Sequence, residues 1–239
     1  MPNYDDVARD VISNLESHSD ERYRKNIRVF VKTQFELLGV PNAQFTNVLK
    51  EFSTAHGDIT TGDRIEIARR LIKSDILEAH WFGYWLIAKD EEALSHIVQN
   101  DLDWMADRMD NWAQVDSFAM QISGVAWRDG LITDAKVESW LQSDNPFVRR
   151  LAVVSTVPLN RAQPGDSPRT ISMCEKVVED KHDTIVKGLS WALRELIKVD
   201  RIAVEDFLSR HEDRLAARVK REVRNKLTKG LKNPGKGKS

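Results

Sequence analysis

Apolar residues recur with a helical period along almost the whole chain. Ile27, Phe30, Val31, Gln34, Phe35 and Leu38 follow an i, i+3, i+4, i+7, i+8, i+11 order with one polar exception, and Gly39 follows. That order predicts a helix over 27–38, closed by the glycine. Further stripes run through Ile65, Ala68, Leu71 and Ile72, then Leu77, Trp81, Trp85 and Leu86, then Val115, Phe118, Ala119, Ile122 and Ala126. Val148, Leu151, Ala152 and Ser155 continue the pattern, as do Ile185, Leu189, Ala192, Leu193 and Leu196. No stretch alternates β-branched and polar residues between tight-turn dipeptides, so no strand is expected.

The predicted helices are short, mostly of ten to sixteen residues, and are separated by polar breaks that read as caps. Thr60-Thr61-Gly62-Asp63, Ser143-Asp144-Asn145-Pro146 and residues 180–184 are three of them. The stretch Asn145-Pro146-Phe147-Val148-Arg149-Arg150-Leu151-Ala152 has a form common in HEAT-type repeats, where a turn leads into a helix with Val and Ala inward and an Arg outward. Asp183-Thr184-Ile185-Val186-Lys187-Gly188-Leu189 reads as a degenerate second copy about 37 residues on, near the ~40–47 residues of such helix pairs. The expectation is an all-α, HEAT-like helical-repeat α-solenoid whose stacked inner helices form a concave surface. One repeat domain is expected over 1–232, with residues 233–239 a disordered basic tail. Residues 158–168, with three prolines, are expected to be a non-helical connection within that domain.

Composition narrows the class. The 239 residues are 41% apolar and 31% charged, which excludes a disordered chain and a membrane bundle. The longest nearly apolar run, residues 79–88, falls well short of the ~20 needed to span a bilayer. The opening residues lack the pattern of a secretory signal. A single cysteine, Cys174, supports neither a disulfide nor a cysteine-based metal site, so the expected address is the cytoplasm, nucleoid-associated in a bacterial cell. The net charge of −1 conceals an asymmetry: residues 214–239 hold ten Lys/Arg against Glu222 alone, leaving −10 on the preceding 213 residues. A basic end on an acidic body suits a polyanion contact, or simply a solvated tail.

Several chemistries fail on spacing. The six histidines are scattered, with no i, i+4 pair, so no helical zinc site is expected. The glycine- and lysine-rich residues 230–239 lack the Ser/Thr and following helix of a phosphate loop. No dinucleotide fingerprint or serine-nucleophile motif is present. Of the seven tryptophans, Trp81, Trp85, Trp104, Trp127 and Trp140 read as core. Trp112 differs: in Asn111-Trp112-Ala113-Gln114-Val115-Asp116 an indole and a carboxylate share one helix face at i, i+4, beside the buried stripe. By itself the pair reads equally as an edge-packed Trp with a capping or salt-bridged Asp.

The block Asn111-Trp112 with Val115-Asp116, then Asn145-Pro146 with Arg149-Arg150-Leu151-Ala152, then Gly188-Leu189-Ser190-Trp191-Ala192-Leu193-Arg194-Glu195 occur in that order. Together with Val31-Lys32-Thr33-Gln34-Phe35-Glu36-Leu37-Leu38-Gly39-Val40 near the start, they resemble the AlkD-type DNA alkylation repair enzymes, which are HEAT-like-repeat DNA glycosylases. The resemblance runs from about residue 20 to about residue 225. It implies hydrolysis of the N-glycosidic bond of positively charged N3- and N7-alkylpurines in double-stranded DNA, by a monomer with no cofactor and no metal. By the same resemblance Asp116 is the catalytic carboxylate and Trp112 its neighbouring wall. Arg150 is then the site arginine and Trp191 the second aromatic wall. Phe30 departs from the pattern, standing where a Tyr is expected.

The residue types suit that chemistry. A cationic purine leaves without a general acid, and an ionised carboxylate can stabilise the oxocarbenium-like sugar and orient water. An arginine near Asp116 favours its ionised form and can grip a phosphate. Arg149, Lys187, Arg194, Arg214, Arg218, Lys220 and Arg221 are the expected DNA-backbone contacts. Each is otherwise an ordinary surface or helix-pairing cation. The competing expectation is a non-catalytic HEAT-repeat DNA-binding or protein-interaction scaffold, and the acidic body favours the protein-interaction form.

Overall fold

The computed structural model describes residues 3–162 and 164–234. All of the regular structure there is helical, and successive helix pairs are compatible with a helical-repeat solenoid. A lone parallel bridge, Glu36 to Ile76, is the nearest approach to a strand among the described residues. The chain packs as two compact units, Met1–Ile122 and Ser123–Ser239.

The first unit holds α1 (Tyr4–Ser17), α2 (Glu21–Phe30), α3 (Asn42–Ala55), α4 (Thr61–Lys73), α5 (Leu77–Ala88), α6 (Glu91–Asn100), α7 (Leu102–Asp107) and α8 (Trp112–Phe118). Capping residues start most of them. Thr60 and Asp63 form the reciprocal box that opens α4, satisfying two donors of the first turn. Helix α5 is apolar on nearly every face and occupies the middle of the unit, with Phe82, Tyr84, Leu86 and Ile87 fully buried. It approaches α4 at Gly83, where a Cβ would fall 2.6 Å from Ile72 Cγ1 and 3.1 Å from the Ala68 carbonyl. Only glycine allows that approach.

The helix expected over 27–38 does not form. Helix α2 stops at Phe30, and residues 31–40 run extended until Gly39, whose φ of +78° turns the chain. The backbone donors of this segment have partners elsewhere. The buried Glu78 carboxylate accepts from the N–H groups of Leu38 (3.0 Å), Gly39 (2.7 Å) and Val40 (3.4 Å). Asp110 accepts from Gln34 N–H at 2.6 Å, and Glu36 exchanges bonds with Asp75 and Leu77. Amides satisfied this way have no need of helical carbonyls. Val31 and Leu38 are nevertheless buried, whereas Phe30 is 72% exposed.

A π-helical turn, Ala119–Ser123, follows α8, and the division between the units falls inside it. The second unit holds α9 (Gly124–Arg128), α10 (Asp134–Ser139), α11 (Pro146–Val154), α12 (Thr156–Arg161), α13 (Ser167–Lys176), α14 (Asp183–Leu196), α15 (Arg201–Arg210) and α16 (Ala217–Lys229), with a 3₁₀ turn, Trp140–Gln142, after α10. Its core includes Val153, Ile185, Leu189, Leu193, Phe207 and Val219. Asn145 caps α11 with Pro146 in the first turn, and His182 caps α14. Several helices are only five to seven residues long, shorter than the periodicity implied.

The connection expected over 158–168 is also shorter. Pro158 lies in the first turn of α12 and Pro168 in the first turn of α13, positions whose N–H has no intrahelical acceptor. The irregular stretch contracts to residues 162–166, of which 163 is outside the described residues. Of the tail expected over 233–239, residues 235–239 are likewise outside them. Trp127 and Trp140 are buried as core, while Trp81, Trp85 and Trp104 are half-buried.

Candidate functional site

Helix α8 carries the first two candidates, and a seven-residue helix needs outside support to hold a defined position. That support is polar and largely buried. Asn111 caps the helix, accepting from Gln114 N–H at 2.9 Å and donating from Nδ2 to Asp110 Oδ1 at 2.7 Å. The Gln114 side chain accepts from Asp110 N–H at 3.2 Å and reaches His80 Nδ1 with Nε2 at 3.1 Å. His80 Nε2 lies 2.8 Å from the Ser74 carbonyl, so the ring donates there and accepts from Gln114 as the neutral tautomer. Burial pushes the His80 imidazole down to about 4, which keeps it neutral.

On this mount, Trp112 is 42% exposed and its indole N–H donates to the Phe30 carbonyl at 2.9 Å. Asp116, half-buried, follows one turn later on the same face. With the N–H committed, a face of the indole is what Trp112 offers to a ligand. The contact from Phe30 is made by its backbone, so it does not depend on the hydroxyl a Tyr would bring.

In the second unit, Arg150 is only 4% exposed and donates from Nη1 to the Thr184 carbonyl at 2.6 Å. Gly188 lies alongside it: a Cβ there would be in ordinary van der Waals contact with that same nitrogen, at 3.5 Å. Trp191, whose indole is half-buried, follows Gly188 by one turn on α14. Trp191 Nε1 donates to Glu195 Oε1 at 3.3 Å, and the Arg161 guanidinium lies 5.8 Å from its ring centroid. Burial opposes the charge on Glu195, but Lys198 at 2.8 Å and Arg161 at 3.6 Å hold its carboxyl below the usual range.

Trp112 and Asp116 thus share one short helix of the first unit, and Arg150 on α11 and Trp191 on α14 lie in the second. The expected phosphate contacts are dispersed and engaged. Arg149 is drawn inward, bonding the Ser143 and Asp144 carbonyls at 2.8 and 3.1 Å and Asp180 at 3.4 Å. Lys187 pairs with Asp183 at 2.6 Å, and Arg218 reaches the same carboxylate at 3.7 Å. Arg214 pairs with Glu179 at 3.5 Å, Lys220 with Glu212 at 3.5 Å and Arg221 with Glu222 at 3.8 Å. Arg194 contacts the Ser190 hydroxyl at 3.4 Å, and burial pushes its guanidinium down. The exposed pairs among these, such as Lys187 with Asp183, contribute little to stability.

Charge is divided between the units. The first has 13 Lys/Arg against 21 Asp/Glu, a net −8, whereas the second has 23 against 16, a net +7. Most of the −10 before residue 214 therefore belongs to the first unit; residues 123–213 carry −2, and the second unit is positive through residues 214–239.

The family model for DNA alkylation repair enzymes matches residues 11–227, more than half of the chain. The chain belongs to this family. As a DNA alkylation repair enzyme it takes part in repairing alkylation damage, and the match covers α8, α11 and α14 with all four candidate residues. No curated protein matches the chain. No helix among the described residues is long and apolar enough to cross a membrane. The residues that sequence reasoning missed in this DNA alkylation repair enzyme are the supports: Asp110, Gln114 and His80 behind Trp112, and Glu195 and Arg161 around Trp191. Glu195 had a sequence signal, its i+4 spacing from Trp191; His80 had none.

Proposed function

We propose that the protein is a monofunctional DNA glycosylase that excises positively charged N3- and N7-alkylpurines from double-stranded DNA by hydrolysing the N-glycosidic bond. The observation that carries this reading is the accessible indole–carboxylate pair, Trp112 and Asp116, on a rigidly mounted helix of a DNA alkylation repair enzyme. The alkylated purine already bears its charge, so it departs without protonation. As the C1′–N bond lengthens, the Asp116 carboxylate stabilises the positive charge growing on the sugar and orients the water that adds to C1′. Trp112 and Trp191 each present a ring face to the cationic nucleotide, worth roughly 0.5–2 kcal/mol apiece. Arg150 supplies positive charge near the backbone of the damaged strand. Arg149, Lys187, Arg194, Arg214, Arg218, Lys220 and Arg221 serve as phosphate contacts of the net positive second unit. In this reading residues 1–232 work as one HEAT-like repeat domain, as a monomer, in the cytoplasm and without a cofactor.

The test is base release. Methylated duplex DNA incubated with the protein, without added metal, should yield N7-methylguanine or N3-methyladenine. Asp116→Asn should lower the release rate by about 100- to 1000-fold while leaving duplex affinity nearly intact. Equal release by the two proteins rejects the assignment of Asp116. A second reading is a non-catalytic HEAT-repeat DNA-binding or protein-interaction scaffold, of which the protein-interaction form draws on the net −8 of the first unit. Duplex binding that is flat with salt, together with no base release, favours a protein-interaction scaffold. Salt-sensitive binding without release favours the non-catalytic DNA binder.

A further inference from the structure

The indole of Trp112 is a large side chain left 42% exposed, and its N–H is held by a carbonyl at the last residue of a different helix, 82 positions earlier. The acceptor residue, Phe30, is itself 72% exposed, and the chain leaves α2 directly after it. Packing of the Phe30 side chain therefore does not fix where its carbonyl points; the same peptide unit is held on its other side by Val31, buried and with its N–H bonded to the Ile27 carbonyl at 2.9 Å. Three residues after Phe30 the chain is fastened a second time. Thr33 Oγ1 donates to the Asp110 carboxylate, lying 2.8 and 2.9 Å from its two oxygens, and Gln34 N–H donates to it at 2.6 Å. Thr33 Oγ1 also accepts from Phe35 N–H at 3.1 Å, which sets the hydroxyl's direction. Asp110 in turn is bound by Asn111 Nδ2 at 2.7 Å and lies two residues before Trp112. The bonds close a ring: Trp112 to Phe30, along the chain to Thr33, across to Asp110, and back through Asn111 to Trp112.

We propose that Asp110 and Thr33 are positioning residues that orient the Trp112 indole, by fastening the segment whose Phe30 carbonyl receives its N–H to the start of α8. The functional consequence rests on the glycosylase reading above; the orientation itself does not. An indole free to turn about its two side-chain torsions presents its face to the substrate for only part of the time, and misplacement of this order slows a reaction more than it weakens binding. Thr33 and Asp110 touch no reacting atom in this scheme. They act through Trp112.

The experiment uses the full chain and two readouts. Trp112 emission is isolated by subtracting Trp112→Phe spectra from parent spectra in wild-type, Asp110→Asn, Thr33→Val and Thr33→Ser backgrounds, and its quenching by acrylamide is measured. Single-turnover base release and affinity for unmodified duplex are measured on the same proteins. Asp110→Asn and Thr33→Val should increase quenching of Trp112, slow release by about tenfold and change duplex affinity by less than about twofold. Thr33→Ser, which keeps the hydroxyl, should match wild type. Unchanged Trp112 quenching in Asp110→Asn and Thr33→Val overturns the proposal, as does increased quenching with an unchanged release rate. If Asp110→Asn fails to fold, Thr33→Val carries the test, since it deletes one hydroxyl from a half-buried residue. If wild type releases no base, the glycosylase reading falls, and the quenching comparison alone decides whether Asp110 and Thr33 orient Trp112.

Discussion

Replacing Glu78 by Gln offers the sharpest test of why residues 31–40 are extended. The carboxylate is 1% exposed and receives three backbone N–H groups, from Leu38 and Gly39 at 3.0 and 2.7 Å and from Val40 at 3.4 Å. Gln is nearly isosteric, but it keeps only one acceptor oxygen. With that oxygen toward Gly39 and Val40, the amide NH₂ faces the Leu38 N–H, and a buried donor is stranded at a cost of about 1–3 kcal/mol. The remaining bonds lose their charge assistance, about 1 kcal/mol more. The sum is about 2–4 kcal/mol, an increase in local opening of roughly 30- to 1000-fold. Native-state hydrogen exchange reads this directly at the amides of Leu38, Gly39 and Val40. Protection within about threefold of wild type would show that the carboxylate does not hold the segment.

Two further outcomes follow from burial. His80 titrates near 4 in the folded protein, below its ordinary 6.5, so the unfolded chain takes up the proton first. Its contribution is therefore complete above about pH 6.5 and falls as pH drops toward 4, by about 3 kcal/mol in all. Urea midpoints at pH 7 and pH 4.5 should show that loss in wild type and a smaller one in His80→Gln; equal slopes would contradict it. Gly83→Ala should destabilise by about 1–3 kcal/mol, because overpacking against Ile72 Cγ1 outweighs the gain in helix propensity. A melting temperature at or above wild type would contradict that.

What was legible in the sequence was what neighbours along the chain decide. Thr60 with Asp63 and Asn145 with Pro146 mark helix starts because the cap bonds a donor two or three residues on. Trp112 and Asp116 could be paired because four residues make one turn. Of Arg149 and Arg150, the residue directly before Leu151-Ala152 is the one turned into the packed interior. The helix expected over 27–38 failed for the opposite reason. Its apolar spacing is helical, but its amides bond Asp110 and Glu78, residues some 40 to 76 positions away. No local pattern records that competition. Pro158 reads as a break from its neighbours alone, and is harmless because a helix restarts at Thr156 and leaves the proline in its first turn. The mount of α8 was invisible for the same reason: Asp110 and Gln114 are four apart, but His80, which completes it, lies 34 positions from Gln114.

Helix α8 has barely two turns and borrows its posture from a buried relay of amide, imidazole and carboxylate. Side chains hidden from solvent can therefore govern how the outward ones are held. Substitutions at His80 or Gln114 would act as remote dials on the exposed indole, letting its setting be adjusted from the interior while the surface around it stays chemically unaltered.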